Sequence, residues 1–204
     1  MLEVHELSAR RGLNRLFSGL SFKLQAGEAL VITGANGTGK TTLLRMLAGL
    51  SAPEAGTISW NGNSVRPFDP VLRGLVAFAG HAPALKDELT AEENLAALVS
   101  LSEGHVDERR VQSALDAVAL GRQRRLPARV LSQGQRRRIG LARLTLVQRL
   151  LWVLDEPLTA LDAAGTALLA RLVAEHVQAG GLAVAATHTP LDLHRVRVQT
   201  LALS

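Results

Sequence analysis

Residues 34–41 read GANGTGKT, a glycine-rich run that matches the pattern GxxxxGK[ST]. An apolar run (EALVITG) leads into it, and a helical pattern with leucines on one face follows it. Glycines let backbone N–H groups wrap a phosphate, Lys40 supplies a cation for the β and γ phosphates, and the Thr41 hydroxyl is a ligand for Mg²⁺. A chance glycine-rich turn is the alternative, but the strand-to-helix context favours a nucleoside triphosphate site. The candidate binding residues are Gly34, Ala35, Asn36, Gly37, Thr38, Gly39, Lys40, Thr41 and Thr42.

A second apolar run ends in two acids, since LLWVLDEP places Asp155 and Glu156 before Pro157. Buried carboxylates are costly unless they meet a cation, so we expect Asp155 to hold Mg²⁺ and Glu156 to polarise an attacking water. An ordinary acidic helix N-terminus is the alternative. His188 ends a further apolar run (LAVAATH), and a structural role is the usual one for a lone histidine. At the carboxyl end of a parallel strand, where ligands bind, we expect it instead to contact the γ phosphate.

Residues 131–143 (LSQGQRRRIGLAR) form a second candidate anion site. A serine at the start of a basic helix, with free backbone N–H groups behind it, suits an anion. A capped surface helix is the alternative when the stretch is taken alone. Two phosphate sites in one chain need an explanation.

Composition excludes several classes of protein. The 204 residues include no cysteine, which rules out disulfide scaffolds and thiolate metal sites and fits a reducing compartment. We expect no leader peptide, because the N-terminus lacks a basic stretch followed by an apolar one, and no membrane span, because no apolar run approaches eighteen residues. The net charge of +5 is compatible with nucleic acid or an anionic membrane, but with only two Trp, four Phe and no Tyr the sequence favours a solvated cationic face.

Strand-like and helical patterns alternate along the chain, which predicts an α/β fold with a mostly parallel sheet. PEAGTISWNGNSV predicts a hairpin with its turn at Asn61–Gly62, and Thr90 and Glu93 have the spacing of a capping box. Residues 82–148 are helical throughout and too long for one crossover. We therefore expect one domain, with a core of about 1–81 and 149–204 and an inserted helical subdomain of about 82–148.

The motifs GANGTGKT, LSQGQ, LDEP, ALD and TH, in this order and spacing, resemble those of ABC-type ATPase domains over about residues 2–190. The resemblance implies an ABC-type P-loop NTPase fold with a small antiparallel β-subdomain, ATP and Mg²⁺ as ligands, and ATP hydrolysis. It also implies a head-to-tail homodimer in which Ser132 and Gly134 cap the γ phosphate bound by the other copy. Gln135 would then support the turn, and Asp162 would lie in the loop that joins the two sites. The second anion site thus serves the partner's ATP.

Two positions depart from the family pattern. The apolar run GLVAFAG (residues 74–80) is a further predicted core strand, and the loop after this strand normally offers a glutamine to Mg²⁺. Here alignment places His81 at that position. An aromatic residue usually stacks on adenine near the N-terminus, and here Arg11 stands at that position. Because a guanidinium plane can also stack on a base, we expect Arg11 to contact adenine.

The segments LFSGLSFKLQAGE, GHAP, LSQGQRRRIGLARL and LLWVLDEPLTALD resemble more closely the ATP-binding subunits of haem exporters of cytochrome c maturation. This closer resemblance implies a peripheral subunit on the cytoplasmic face of the inner membrane. Its partners would be a CcmB-like permease with CcmC-like and CcmD-like subunits, and no direct nucleic acid partner is expected. Hydrolysis would drive release of a haem-loaded chaperone. The alternatives are the ATPase of another small-substrate transporter, a soluble ABC protein acting on nucleic acid or the ribosome, and a P-loop kinase, which would lack LSQGQ and the acid after Asp155.

Overall fold

The computed structural model describes residues 1–204. The chain forms two compact units, each built from separate segments. The first unit comprises Met1–Phe78, Arg149–Pro157 and Val173–Ser204, and the second comprises Ala79–Gln148 and Leu158–Leu172.

The regular elements are nine strands and six α-helices, with two short 3₁₀ turns at Gly121–Gln123 and Ala128–Val130. The strands are β1 (Leu2–Arg11), β2 (Asn14–Leu24), β3 (Glu28–Gly34), β4 (Ala55–Trp60), β5 (Asn63–Val65), β6 (Val76–Ala79), β7 (Leu151–Asp155), β8 (Leu182–Ala186) and β9 (Arg197–Leu203). The helices are α1 (Lys40–Leu47), α2 (Pro70–Leu75), α3 (Ala91–Glu103), α4 (Glu108–Ala117), α5 (Gln133–Leu146) and α6 (Ala163–Gln178).

A five-stranded sheet in the order β6-β7-β8-β3-β9 carries the nucleotide motifs. The pairs β7–β8, β8–β3 and β3–β9 are parallel. Every residue of β7 and β8 is buried, which explains why these strands are continuous apolar runs rather than alternating ones. The predicted α/β class with a mostly parallel core is confirmed.

A separate four-stranded antiparallel sheet has the order β2-β1-β4-β5. The predicted hairpin is confirmed: β4 pairs with β5 through Trp60 and Asn63, and the turn residues Asn61 and Gly62 have φ values of 49° and 80°. Positive φ at both positions is the geometry that an Asn-Gly turn favours. The sequence patterns did not predict β1 and β2, whose pairing is interrupted by three register shifts.

The core of the first unit joins both sheets to α1. Fully buried leucines come from each part, with Leu7 on β1, Leu30 on β3, Leu43 on α1 and Leu182 on β8. Burying each such side chain contributes roughly 1.5–3 kcal/mol, so α1 is held firmly beneath the loop that precedes it.

The second unit is helical, but its helices are shorter than the continuous helical pattern suggested. Gly104, with a φ of 75°, follows the last residue of α3 and ends the helix, and an antiparallel bridge between Thr90 and Pro127 closes the segment before α5. The predicted capping box is confirmed, because Thr90 and Glu93 exchange hydrogen bonds in both directions. Residues 158–172, which the sequence assigned to the core, belong to this compact unit.

None of the helices combines the length and the apolar character that crossing a bilayer requires.

Candidate functional site

The loop of residues 34–39 joins the end of β3 to the start of α1. Gly39 precedes the helix with a φ of 99°, a conformation that favours glycine. Gly34 has a second constraint, since a Cβ at this position would overlap the carbonyl oxygen of Leu203. The loop can therefore turn tightly only because these positions lack side chains, which leaves backbone N–H groups of the helix start available to an anion.

Lys40 occupies the mouth of this loop and is only 7% exposed. Its ammonium group donates to the carbonyl oxygens of Gly34, at 2.8 Å, and Ala35, at 3.0 Å. It also lies 3.1 Å from Nε2 of His188. The charge is thus held where a phosphate wrapped by the loop would need it. Thr38 closes the loop by donating its hydroxyl to the Ala35 carbonyl at 3.0 Å.

Thr41 and Asp155 meet although 114 residues separate them. The Thr41 hydroxyl donates to Oδ1 of Asp155 at 3.1 Å, and Asp155 is 4% exposed at the end of β7. A hydroxyl and a carboxylate are oxygen donors of the kind that Mg²⁺ prefers. The pair fits the metal-binding role that the sequence predicted, and Thr42 follows in the same helical turn.

Glu156 has a φ of 46°, an unusual conformation for a residue with a side chain. Its backbone N–H donates to the carbonyl of Ala186 on β8 at 2.9 Å. This backbone turn directs the carboxylate to His188, whose Nε2 lies 3.2 Å from Oε1. Strain of this kind recurs at active sites, where it positions a reacting group.

Asn36 completes the cluster from the loop itself, with Oδ1 at 2.9 Å from Nε2 of His188. One imidazole nitrogen therefore faces the loop, the lysine and the second acid. The structure brings together Asn36, Lys40, Glu156 and His188 at the carboxyl edge of the parallel sheet, beside the pair of Thr41 and Asp155. This arrangement can bind a triphosphate and present a carboxylate to a water molecule near it.

Arg11 ends β1 and is exposed. It pairs with Asn14 across the β1–β2 turn, and a Cβ at Gly39 would lie 3.0 Å from Leu16 and Phe17 on β2. The hairpin thus packs beside the phosphate loop. The contact of Arg11 with adenine stays a prediction.

Ser132 begins α5 in the second unit and forms a capping box with Gln135. The Ser132 hydroxyl accepts from the Gln135 N–H at 3.2 Å, and Oε1 of Gln135 accepts from the Ser132 N–H at 2.9 Å. This exchange is the contact through which Gln135 would support the turn. Gly134 lies so close to residue 160 that a Cβ would stand 2.8 Å from the Ala160 carbonyl oxygen.

Asp162 is held by two donors. Its Oδ1 accepts from the Arg138 guanidinium at 2.8 Å and from the Gly165 N–H at 2.8 Å. The Gly165 hydrogen bond, followed by that from Arg138, lowers the pKa of Asp162. The 160–162 turn is therefore tied to α5, the helix that Ser132 begins.

His81 is exposed in the loop after β6, in the second unit. Its backbone carbonyl accepts from Nη1 of Arg137 at 2.6 Å, and the preceding carbonyl of Gly80 accepts from the same atom at 2.8 Å. Arg137 is 6% exposed. A role for His81 at the metal stays a prediction, and it is the only proposed metal residue in this unit.

The sequence pattern did not predict the contacts of Arg137 and Arg138, which were interpreted only as part of a basic helix. A signal was present, because position 137 shares a helical face with Leu141 and Leu144, which are both buried. An arginine on that face must find acceptors inside the fold.

Comparison with known proteins agrees with this geometry. The family profile described as ABC transporter matches residues 17–159. A protein of Nitrosomonas europaea named cytochrome c biogenesis ATP-binding export protein CcmA is 45% identical over 204 residues, which covers 100% of this chain and 96% of the relative. A protein of the same name in Aromatoleum aromaticum is 49% identical and covers 96% of each chain.

Solved structures match as well. An ABC transporter ATP-binding protein of Pyrococcus furiosus superposes with a TM-score of 0.84 at 25% identity, over 98% of this chain and 96% of that one. A dimeric ATP-binding cassette bound to ADP and Pi, in a post-hydrolysis state, superposes with a TM-score of 0.80 at 22% identity, over 93% of this chain and 88% of that one.

Proposed function

This chain belongs to the ABC transporter family of ATP-binding proteins, and we propose that it is the ATPase subunit of a membrane complex for cytochrome c biogenesis. The observation that carries the proposal is identity of 43–49% with proteins of that name over almost the whole chain. The cargo of the complex is haem, and hydrolysis powers release of a haem-loaded chaperone.

The cluster at the sheet edge does the chemistry. Lys40 and the backbone N–H groups of the loop bind the β and γ phosphates, and Glu156 orients water for in-line attack. His188 steadies the γ phosphate from the neighbouring strand. Thr41 and Asp155 would hold Mg²⁺, which when bound neutralises charge on the phosphate oxygens. His81 would contribute to the metal shell through water.

The second anion site acts in a head-to-tail homodimer. Ser132 and Gly134 of one copy donate to the γ phosphate held by the other copy, which adds donors around the charge that develops in the transition state. The Asp162 turn joins the two sites. Hydrolysis removes the bridging phosphate, and the dimer opens.

The chain works at the cytoplasmic face of the inner membrane as a peripheral subunit. Its partners are a CcmB-like permease with CcmC-like and CcmD-like subunits. An ATPase of another small-substrate transporter is the second candidate, since the ATP site itself carries no information about cargo. A soluble protein acting on nucleic acid or the ribosome is less well supported, because the described residues include few exposed aromatic side chains for stacking on bases.

The test is a mild-detergent purification of the tagged chain from its native membranes, with partners identified by mass spectrometry. We expect the membrane subunits of cytochrome c maturation to be recovered in defined stoichiometry. A Lys40→Ala chain should recover the same subunits but hydrolyse no ATP and support no formation of c-type cytochromes. Recovery of a different permease, or of ribosomes, would refute the role in cytochrome c biogenesis. It would not affect the assignment of the chain as an ATPase.

A further inference from the structure

Thr187 lies between the carboxyl end of β8 and His188, and its hydroxyl has no part in the site described so far. Thr187 is 2% exposed, whereas His188 and Thr189 are exposed. A buried hydroxyl needs hydrogen-bond partners inside the fold, because leaving it unpaired costs free energy. The partners that Thr187 uses lie on the far side of His188, in the backbone of Thr189.

Two hydrogen bonds join the Thr187 hydroxyl to Thr189. Oγ1 accepts from the Thr189 N–H at 3.1 Å and donates to the Thr189 carbonyl oxygen at 2.9 Å. Threonine hydroxyls form such contacts with the backbone two residues on and stabilise turns. Pro190 follows and restricts Thr189 toward extended conformations. The hydroxyl therefore fixes the backbone on both sides of His188, the residue that the two hydrogen bonds enclose.

The backbone before His188 is fixed by the sheet. The Thr187 N–H donates to the Ile32 carbonyl at 3.2 Å, on the strand β3 that leads into the phosphate loop. The carbonyl of Ala186 accepts from the Glu156 N–H at 2.9 Å. The end of β8 thus holds the backbone of Glu156 and the start of the turn at residues 187–189 in one frame.

The imidazole of His188 is held less firmly than its backbone. All of its polar contacts are made by Nε2, to Lys40, Asn36 and Glu156, and Nδ1 makes no hydrogen bond to the protein. In many functional histidines a hydrogen bond to the second ring nitrogen sets the tautomer and the orientation. The side chain of His188 is also 46% exposed, so packing restrains it little. Its direction therefore depends mainly on the backbone conformation.

From these observations we infer that Thr187 is a positioning residue for ATP hydrolysis. Its hydroxyl holds residues 187–189 in the conformation that directs Nε2 of His188 toward the phosphate loop and Glu156. Thr187 is buried and acts on the nucleotide only through His188. The inference rests on the role proposed above for His188 at the γ phosphate.

Thr187→Val tests the hydroxyl, because valine keeps a branched side chain of similar size. We expect kcat for ATP to fall about tenfold, since His188 is then directed less often toward the γ phosphate. KM should change less than about threefold, because Lys40 and the N–H groups of the loop still bind the phosphates. Thr187→Ser keeps the hydroxyl and should restore most of kcat. Steady-state ATPase assays give both constants.

Thr145→Val is the matched control. The Thr145 hydroxyl donates to the Ala142 carbonyl at 2.8 Å, so this variant also loses a hydrogen bond from a threonine to the backbone, but outside the nucleotide motifs. Its kcat should equal that of the parent. Urea unfolding of each variant identifies the conditions under which the chain is fully folded, and the assays are carried out there.

A double-mutant cycle shows whether Thr187 acts through His188. Adding Thr187→Val to His188→Ala should leave kcat within about twofold of His188→Ala alone, because the side chain to be positioned is already absent. A purely structural role would lower kcat by the same factor in both backgrounds. Such independent losses, or failure of Thr187→Ser to restore kcat, would overturn the inference.

The same assays separate the inference from the role on which it rests. Reduced kcat in His188→Ala together with parental kcat in Thr187→Val rejects the positioning role alone. Parental kcat in His188→Ala refutes the proposed role of His188, and the positioning role of Thr187 fails with it. Neither result affects the proposed partners, which are tested by purification from native membranes.

Discussion

Nε2 of His188 lies near three groups, of which one is a hydrogen-bond donor and two are acceptors. Nε2 can accept from the Lys40 ammonium at 3.1 Å only when it is deprotonated. It can donate to Glu156 at 3.2 Å or to Oδ1 of Asn36 at 2.9 Å only when it carries a proton. A phosphate that replaced the His188 contact of Lys40 would leave Nε2 free to donate to Glu156 or to Asn36.

The carboxylate of Glu156 is expected to be needed for hydrolysis rather than for binding. Glu156→Gln should reduce turnover by about a hundredfold or more, since the amide cannot accept a proton from water. ATP should still bind, and the closed dimer should accumulate in size-exclusion chromatography with ATP. Glu88→Gln, an exposed acid in the second unit, is the control. Parental turnover in the Glu156 variant would remove its catalytic role.

Substitutions of Arg11 test whether its guanidinium takes the place of the aromatic residue that stacks on adenine in the family. Arg11→Ala should weaken ATP binding by about tenfold, because stacking on the base is lost. Arg11→Tyr should restore it, and Arg15→Ala on the same hairpin should have no effect. Isothermal titration with ATP gives the three affinities. An Arg11→Ala chain that binds ATP as tightly as the parent would contradict the adenine contact.

At the scale of elements, a histidine near the end of α6 contacts the parallel sheet. His176 stacks on Trp152 of β7 with ring centroids 4.0 Å apart and planes 6° from parallel. Its Nε2 lies 3.2 Å from the carbonyl oxygens of both Leu150 and Leu182. Both neighbours are acceptors, so Nε2 carries the proton in the neutral ring. Gly181 leaves room for the ring, since a Cβ there would overlap it.

This contact predicts a pH dependence of stability. Burial lowers the pKa of His176, and the two carbonyl acceptors only partly oppose that shift. The unfolded chain, with a histidine pKa of about 6.5, therefore binds the proton more readily than the folded chain. The contribution of His176 is fully present above about pH 6.5 and is lost as the pH falls through the folded pKa. Urea unfolding at pH 7.5 and 5.5 should show a smaller acid loss for His176→Gln than for the parent. An equal loss in both would refute the assignment.

We predict that substitution of Arg137 affects the loop around residues 80–83 rather than the ATP site. Arg137→Leu removes the donor to the Gly80 and His81 carbonyls and should destabilise the chain by roughly 1.5–3 kcal/mol for each charged hydrogen bond lost. Amide exchange around residues 80–83 should accelerate. Arg137→Lys should recover part of the protection, because an ammonium can reach one carbonyl, whereas Arg129→Leu, at an exposed position, should change nothing. Unchanged exchange in Arg137→Leu would show that the loop is held by other contacts.

At the scale of the whole molecule, we predict that each ATP site needs residues from two copies of the chain. Lys40→Ala and Gly134→Asp chains should each be inactive, since every homodimer then lacks either the phosphate-binding lysine or an accessible turn at Ser132–Gly134. Mixing them in equal amounts should restore about a quarter of the parental ATPase, because half the dimers are mixed and each contains one intact site. As the control, a chain carrying Ser113→Ala, a substitution outside both motifs, is used in the mixture in place of either inactive chain. No recovery on mixing would contradict sites shared between copies.

Local patterns were sufficient to predict the core strands, the phosphate loop and one hairpin. β7 and β8 are continuous apolar runs because both of their faces are buried, and Asn61–Gly62 adopts the positive φ values that its residue types favour. The loop of residues 34–41 follows from chemistry, because a phosphate site needs glycines, a lysine and a hydroxyl at fixed spacing. These features depend on residues close in the chain.

The features that local patterns did not predict depend on the tertiary structure. β1 and β2 were missed because their register shifts break the alternation that identifies a strand. The burial of Arg137 and the ion pair of Arg138 with Asp162 depend on distant segments. The same holds for the approach of His188 to Asn36 across 152 residues of sequence. Periodicity and propensity act over a few residues, whereas these contacts exist only after the sheets and helices have packed.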